Sequence, residues 1–231
     1  MRAGVERKIV GAAAVVLTLS ALVIATLFIS RLILIQNRPE TPPRPTMTRS
    51  QIERVLKEAE DAASWHNKDY ARAVQLLTSL AEQGEPRAQL RLGHMYADGK
   101  GVARDYETAA DLYRRAAEQG NAPAMDALAG AIFMGEGVER NFEEMARLYR
   151  QAANKGLTMA KLHLAVCYNQ GWGVNKDLPL AYAWYTAAAQ DAVRDPTGAD
   201  LAEGNLRDLW KKMSPEERIE AKQRVATGHL D

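Results

Sequence analysis

The sequence has a single cysteine, Cys167, in 231 residues. An internal disulfide and a multi-thiolate metal site are thereby excluded. Histidine is scarce as well: only His66, His94, His163 and His229 occur. No two of them stand four residues apart, and the HExxH pattern of a zinc protease is absent. Net charge is only +1, so nothing points to nucleic acid as a partner. Sixteen glycines and nine prolines are too few for a low-complexity chain.

What is present is unevenly spread. Mean hydropathy is −0.33, although Ile9 to Ser30 is an uncharged, largely apolar run of 22 residues. As a helix that run would measure roughly 33 Å, enough to cross a bilayer core of about 30 Å. A cleaved signal peptide is the rival reading, but signal h-regions extend for only about 7–15 residues. No good small-x-small cleavage site ends this run. The run therefore reads as an uncleaved anchor, in contact with the lipid bilayer. Residues 1–49 hold seven basic and two acidic residues, which leaves 23 basic and 27 acidic in the remainder. Basic residues flank the span on both sides, so the positive-inside rule decides little. A short basic tail before a span favours N-in topology, with the long remainder crossing. Arg38 to Thr48 then holds four prolines, which make a semi-rigid polyproline-II spacer.

Beyond the spacer the chain repeats. Asp69–Arg104, Asp105–Arg140 and Asn141–Lys176 align without a gap at a period of 36, and a fourth unit begins at Asp177. Ala73, Ala109, Met145 and Ala181 share one column; Leu76, Leu112, Leu148 and Trp184 share another. With Leu77/Tyr113/Tyr149/Tyr185 and two small-residue columns, the offsets are i, i+3, i+4, i+7 and i+8, the apolar stripe of a packed helix. A second helix follows in each unit, through Ala88/Ala124/Ala160, Leu92/Leu128/Leu164 and Tyr96/Ile132/Tyr168. Gly84, Gly120 and Gly156 close the first helices, and the pairs Gly99/Gly101, Gly135/Gly137 and Gly171/Gly173 end the second ones. Val102, Val138 and Val174 are expected to plug each loop into the core. The fold class is all-α: a right-handed α-solenoid of helix–turn–helix repeats behind a single N-terminal transmembrane helix.

The ends read as caps. Ser50-x-x-Glu53 has the form of a capping box opening a helix to about Ala63. The fourth unit leaves the repeat phase at Ala192, and its second helix is expected over about Ala199–Lys212. Ser214-Pro215 then starts a last helix. The organisation is thus a basic tail (1–8), the transmembrane helix (9–30), the linker (31–49) and a capping helix (50–68). Repeats (69–198) follow, then a last repeat helix with its cap (199–231).

The motif A…L-Y-x-x-A-A-x-x-G…A…L…Y-x-x-G-x-G-V, carried most closely by the second and third units, resembles the Sel-one-like repeat. That family is related to the tetratricopeptide repeat. The resemblance covers roughly residues 65–226 and implies an adaptor function. Some bacterial relatives are credited with hydrolysis of cell-wall-related material, which supplies the alternative function. Those relatives resemble disulfide-paired repeats, which one cysteine cannot build.

No catalytic, cofactor or metal site is legible. Cys167 shares a column with Met95 and Ala131, a packing position. The Gly-x-Gly pairs follow helices and lack the Walker spacing. His94 and His163 stand in different columns, so each reads as partly buried or solvated. Solenoids of this kind bind segments along a concave face lined by first helices. Arg114 and Arg150, one unit apart, could there clamp a carboxylate or an extended acidic segment. Trp172 occupies a loop column that holds Lys100 and Glu136 in sister units, so the fold does not require an aromatic there, and it reads as a partner contact, with a membrane-interface contact and packing within the fold as the other readings. The expected function is a membrane-anchored, non-enzymatic adaptor or scaffold, such as a regulatory or assembly subunit of a larger membrane complex. A variant of this reading makes the anchor itself the interaction element. In a bacterium the expected location is the inner membrane, with the repeats periplasmic.

Overall fold

The computed structural model describes residues 47–64, 66, 68–191, 193, 195–228 and 230. The basic tail, the expected transmembrane helix and the linker as far as Thr46 lie outside the described residues, as do Ala192 and His229. Among the described residues no helix is long and apolar enough to cross a membrane.

Met47–Asp231 is one unit built from helices alone among the described residues. A leading helix α1 (Arg49–Ala63) precedes four helical pairs. These are α2 (Tyr70–Glu82) with α3 (Pro86–Asp98), α4 (Tyr106–Glu118) with α5 (Ala122–Met134), α6 (Phe142–Asn154) with α7 (Thr158–Gln170), and α8 (Leu178–Ala189) with α9 (Pro196–Lys212). A last helix, α10 (Pro215–Thr227), closes the array. The helices up to α9 pack chiefly on their neighbours in sequence, and α10 packs back on α8. The stack is therefore quasi-one-dimensional, as repeat arrays are.

The local chemistry recurs from unit to unit. Asp69, Asp105, Asn141 and Asp177 cap the first helices, each side chain accepting the N–H three residues on, at 2.8–3.1 Å. Gly99, Gly135 and Gly171 cap the second helices in the left-handed conformation. The following N–H groups of Lys100, Glu136 and Trp172 close onto Met95, Ala131 and Cys167 carbonyls at 2.9–3.0 Å, the C-terminal motif that glycine favours. The second glycine of each pair has a different cause. Gly173 lies at φ +68°, and a Cβ there would collide with the carbonyl oxygen of Phe142, the first residue of α6. Gly137 meets the Tyr106 carbonyl in the same way. The loop leaving each pair thus folds back onto the start of that pair's own first helix. Val138 and Val174 are half-buried against the core behind it.

The core follows the repeat columns. Ala73, Ala109, Met145 and Ala181 are buried, as are Leu112, Leu148 and Trp184. Ala116, Ala152 and Ala188 are wholly covered, so neighbouring helices approach over methyl groups.

Two element starts differ from the sequence reading. The cap of α1 is Thr48, with Gln51 completing the capping box; Ser50 already lies inside the helix. Both T-x-x-Q and S-x-x-E fit the motif, and tertiary contacts separate them. With Thr48 as cap, Glu53 is free to receive the Arg87 guanidinium on α3 in a paired bond of 2.8 and 3.1 Å. Glu58 and Glu60 pair likewise with Arg72 and Arg91, so three ion pairs join α1 to α2 and α3. The helix α9 begins at Pro196 rather than Ala199, because Asp195 caps it by accepting the Gly198 N–H at 2.9 Å. The final start is where the sequence places it: Ser214 and Glu217 form a capping box over Pro215.

The irregular turn of the fourth unit is held by charge. Asp191 receives the Lys161 ammonium at 2.5 Å and the Thr158 hydroxyl at 3.0 Å, all three largely shielded from water. This ties the turn after α8 to the first turn of α7.

Candidate interaction groove

Between α4 and α6, floored by α5, runs a groove of about 660 Å³. Its floor is apolar: Met125, Leu128 and Ile132 from α5, Leu148 from α6 and Val138 from the returning loop. Its rim carries both signs of charge on each side, with Arg114 and Glu118 on α4, Glu144 and Arg147 on α6, and Glu139 and Arg140 in the loop before α6. The caps Asp105 and Asn141 start α4 and α6 in the same phase, which sets the two rims parallel in register.

The rim charges differ in how they are held. Arg147 grips Glu144 through two bonds of 2.8 and 2.5 Å, and those bonds hold the Glu144 carboxyl below its ordinary range. Arg140 donates to the Met134 carbonyl at 3.0 Å. Arg114 pairs with Asp111 one turn earlier on its own helix, at an exposed position. Such a surface pair contributes little, so the Arg114 head is free to change partner.

Arg114 and Arg150 therefore do not form the clamp that their one-unit spacing suggested. Arg150 is engaged with Tyr168, donating to its hydroxyl at 2.6 Å and lying 5.8 Å above its ring. The arginines that line one groove are Arg114, Arg140 and Arg147. Arg147 shares its column with Gln75, Asp111 and Ala183, and nothing in that column marks it as lining the same groove as Arg114. Arg140 ends its unit, where the sister units also carry a base, Arg104 and Lys176, so its direction could be known only from the fold.

Trp172 is not the isolated loop aromatic that its column suggested. Its ring centroid lies 5.1 Å from that of Phe133 and 6.3 Å from that of Phe142, the latter pair nearly parallel. It is half-buried against the core. The column comparison missed this because Phe133 belongs to the preceding unit. Phe142, 40% exposed, forms the wet side of this aromatic cluster.

The remaining reactive side chains serve packing. His94 accepts or donates at the Tyr113 hydroxyl, 2.9 Å away. His163 bonds Asp126 at 2.8 Å and lies against the Tyr149 ring, tilted by 46° with centroids 4.8 Å apart. Cys167 is buried, and burial pushes its thiol up to about 12. Among the described residues no three His, Cys, Asp or Glu side chains converge as a metal site.

Comparison with known proteins agrees with the helical-repeat fold. No curated protein matches the sequence. The chain shares 32% identity with a Sel1 repeat protein from Oxalobacter formigenes, at a TM-score of 0.52, over 59% of this chain and 98% of that one. A protective antigen present in uropathogenic Escherichia coli strains, displaying an SLR fold, superposes at a TM-score of 0.61 and 24% identity. That alignment covers 76% of this chain and 39% of the antigen, so this chain spans less than half the antigen's length. Sel1 repeat proteins generally mediate protein–protein interaction, and their fold is typically a non-catalytic scaffold. The Sel1 repeat itself matches four times in tandem, at residues 65–85, 86–121, 122–157 and 158–192, more than half of the sequence, and the chain belongs to the Sel1 repeat family.

Proposed function

We propose that this chain is a membrane-anchored scaffold whose groove between α4 and α6 receives an extended segment of a protein partner. The observation that carries the reading is the groove itself: a cavity of about 660 Å³ with an apolar floor, between two rims that each carry both signs of charge. Apolar floors bind and charged rims select, which is the anatomy of a protein interface. The Ile9–Ser30 run supplies the anchor, with the tail inside and the repeats outside the inner membrane. The proline-rich spacer holds the array off the bilayer, where it serves as a regulatory or assembly subunit of a larger membrane complex. Phe142 beside Trp172 offers a second contact edge for the same partner.

Site-specific photocrosslinking of the full chain in its native membrane tests this reading. A photoreactive residue at Gln151, on the rim, should capture a protein that the same residue at Glu203, on α9, does not. Equal capture at both positions, or none at Gln151, overturns the groove assignment. For topology, a cysteine added at the C-terminus should react with an impermeant maleimide in intact spheroplasts. Reaction only after lysis overturns the orientation.

A further inference from the structure

The repeats differ at one position in a way that shapes the groove. The column that holds Tyr96 and Tyr168 holds Ile132 in the second unit. The third unit shows what the tyrosine does. Tyr168 is 8% exposed, lies beneath the Arg150 guanidinium, and accepts a 2.6 Å bond from it at the phenolic oxygen. Arg114 is the counterpart of Arg150, one period earlier. It has no such ring to cover, and Ile132 and Arg114 both line the groove instead. The other two units lack the arginine, with Thr78 and Thr186 in its column. The second unit alone keeps the arginine and lacks the ring.

We propose that this vacancy is a socket for a tyrosine side chain presented by the partner's extended segment. The inference rests on the groove reading above and names the anchor that fills it. The ring lies on Ile132, Leu128 and Leu148, and the hydroxyl accepts from Arg114, which leaves Asp111. The arrangement copies within a complex what Tyr168 and Arg150 already do within the chain. An aromatic ring brings a large apolar area and an attraction for the guanidinium above it. The phenol, not the benzyl group, is selected, because only the phenol satisfies the arginine. A phosphorylated tyrosine is disfavoured: Glu118, Glu139 and Glu144 share the rim and would repel a dianion.

The test uses the full chain in nanodiscs with labelled isoleucine and leucine methyl groups, read by NMR. The probes are N-acetyl-tyrosinamide and N-acetyl-phenylalaninamide. The tyrosine probe should shift the Ile132 and Leu148 methyl signals and bind about tenfold more tightly than the phenylalanine probe, the value of one charge-assisted hydrogen bond. Arg114→Gln should abolish that preference. Ile132→Tyr refills the socket from within and should keep the melting temperature while removing the shifts. Equal affinity for the two probes overturns the socket, as does a preference that survives Arg114→Gln. If Ile132→Tyr does not fold, the Arg114→Gln comparison alone decides. Crosslinking at Gln151 that continues undiminished in folded Ile132→Tyr overturns the tyrosine anchor and leaves the groove reading standing. Loss of that crosslink supports both.

Discussion

Replacing Trp172 by alanine separates a surface aromatic from one that holds two repeats together. The ring stands 5.1 Å from Phe133, at the end of α5, and 6.3 Å from Phe142, at the start of α6. It thus bridges the second and third units. A fully buried tryptophan costs about 3–5 kcal/mol on truncation. Trp172 is half-buried, which about halves that cost, and the loss of its two ring contacts is already part of it. The expected cost is about 2 kcal/mol. For a folded body of this size that lowers Tm by about 4–8 °C. The assay is thermal unfolding of the full chain followed by far-UV circular dichroism. Met134→Ala is the control: its side chain is 56% exposed, and such positions change stability by about 0.5 kcal/mol or less. Trp172→Lys, which installs the residue found at position 100, should fall as far as Trp172→Ala. If Trp172→Ala melts with the wild type and the Met134→Ala control, the aromatic bridge contributes nothing and the reasoning is refuted.

Deleting residues 105–140 removes one period and joins equivalent positions; the shortened chain should fold with proportionally less helix, whereas deleting 18 residues (about half a period) should abolish cooperative unfolding. Retained folding in both deletions would contradict nearest-neighbour packing. Gly173→Ala forces a Cβ into the Phe142 carbonyl at positive φ and should cost about 3 kcal/mol or more. Gly204→Ala, in α9 with open space around it, should gain up to about 1 kcal/mol; urea midpoints distinguish the two. Cys167 should resist a thiol reagent at pH 8 in the native protein and react fully in guanidinium. Its folded pKa of about 12 lies above the ordinary value of 9.0. This contribution to stability is therefore complete below pH 9 and is lost as pH rises from there toward 12. Rapid native labelling would show that the α7 core opens readily.

The period, the small-residue columns and the glycine pairs were legible in the sequence because each is a local requirement repeated at fixed spacing. Helices α2 to α7 all have 13 residues, the length that the 36-residue period leaves between caps. What stayed illegible depended on contacts between non-equivalent positions. Thr48 and Ser50 offer overlapping capping boxes, and the choice is separated by Arg87, distant in sequence. Trp172 looked dispensable when set beside Lys100 and Glu136, since a column compares replacements and not neighbours. Arg150 looked free because Tyr168 sits 18 residues on, on the other helix of its pair. The same comparison contained the Ile132 exception in plain view, but its meaning required the Arg150–Tyr168 pair as a template.

The backbone contact of Gly137 on Tyr106, and of Gly173 on Phe142, has a bearing on how such arrays change. Main chain meets main chain there, so the fit between the two ends of a unit does not depend on which side chains the unit displays. Each unit acts as a gauge block whose closure is set by glycine and a carbonyl. A lineage can therefore rewrite Arg114, Asp111 or Ile132, or copy a unit whole, without readjusting the joints on either side. Variation is channelled into the columns that line the groove and its rims.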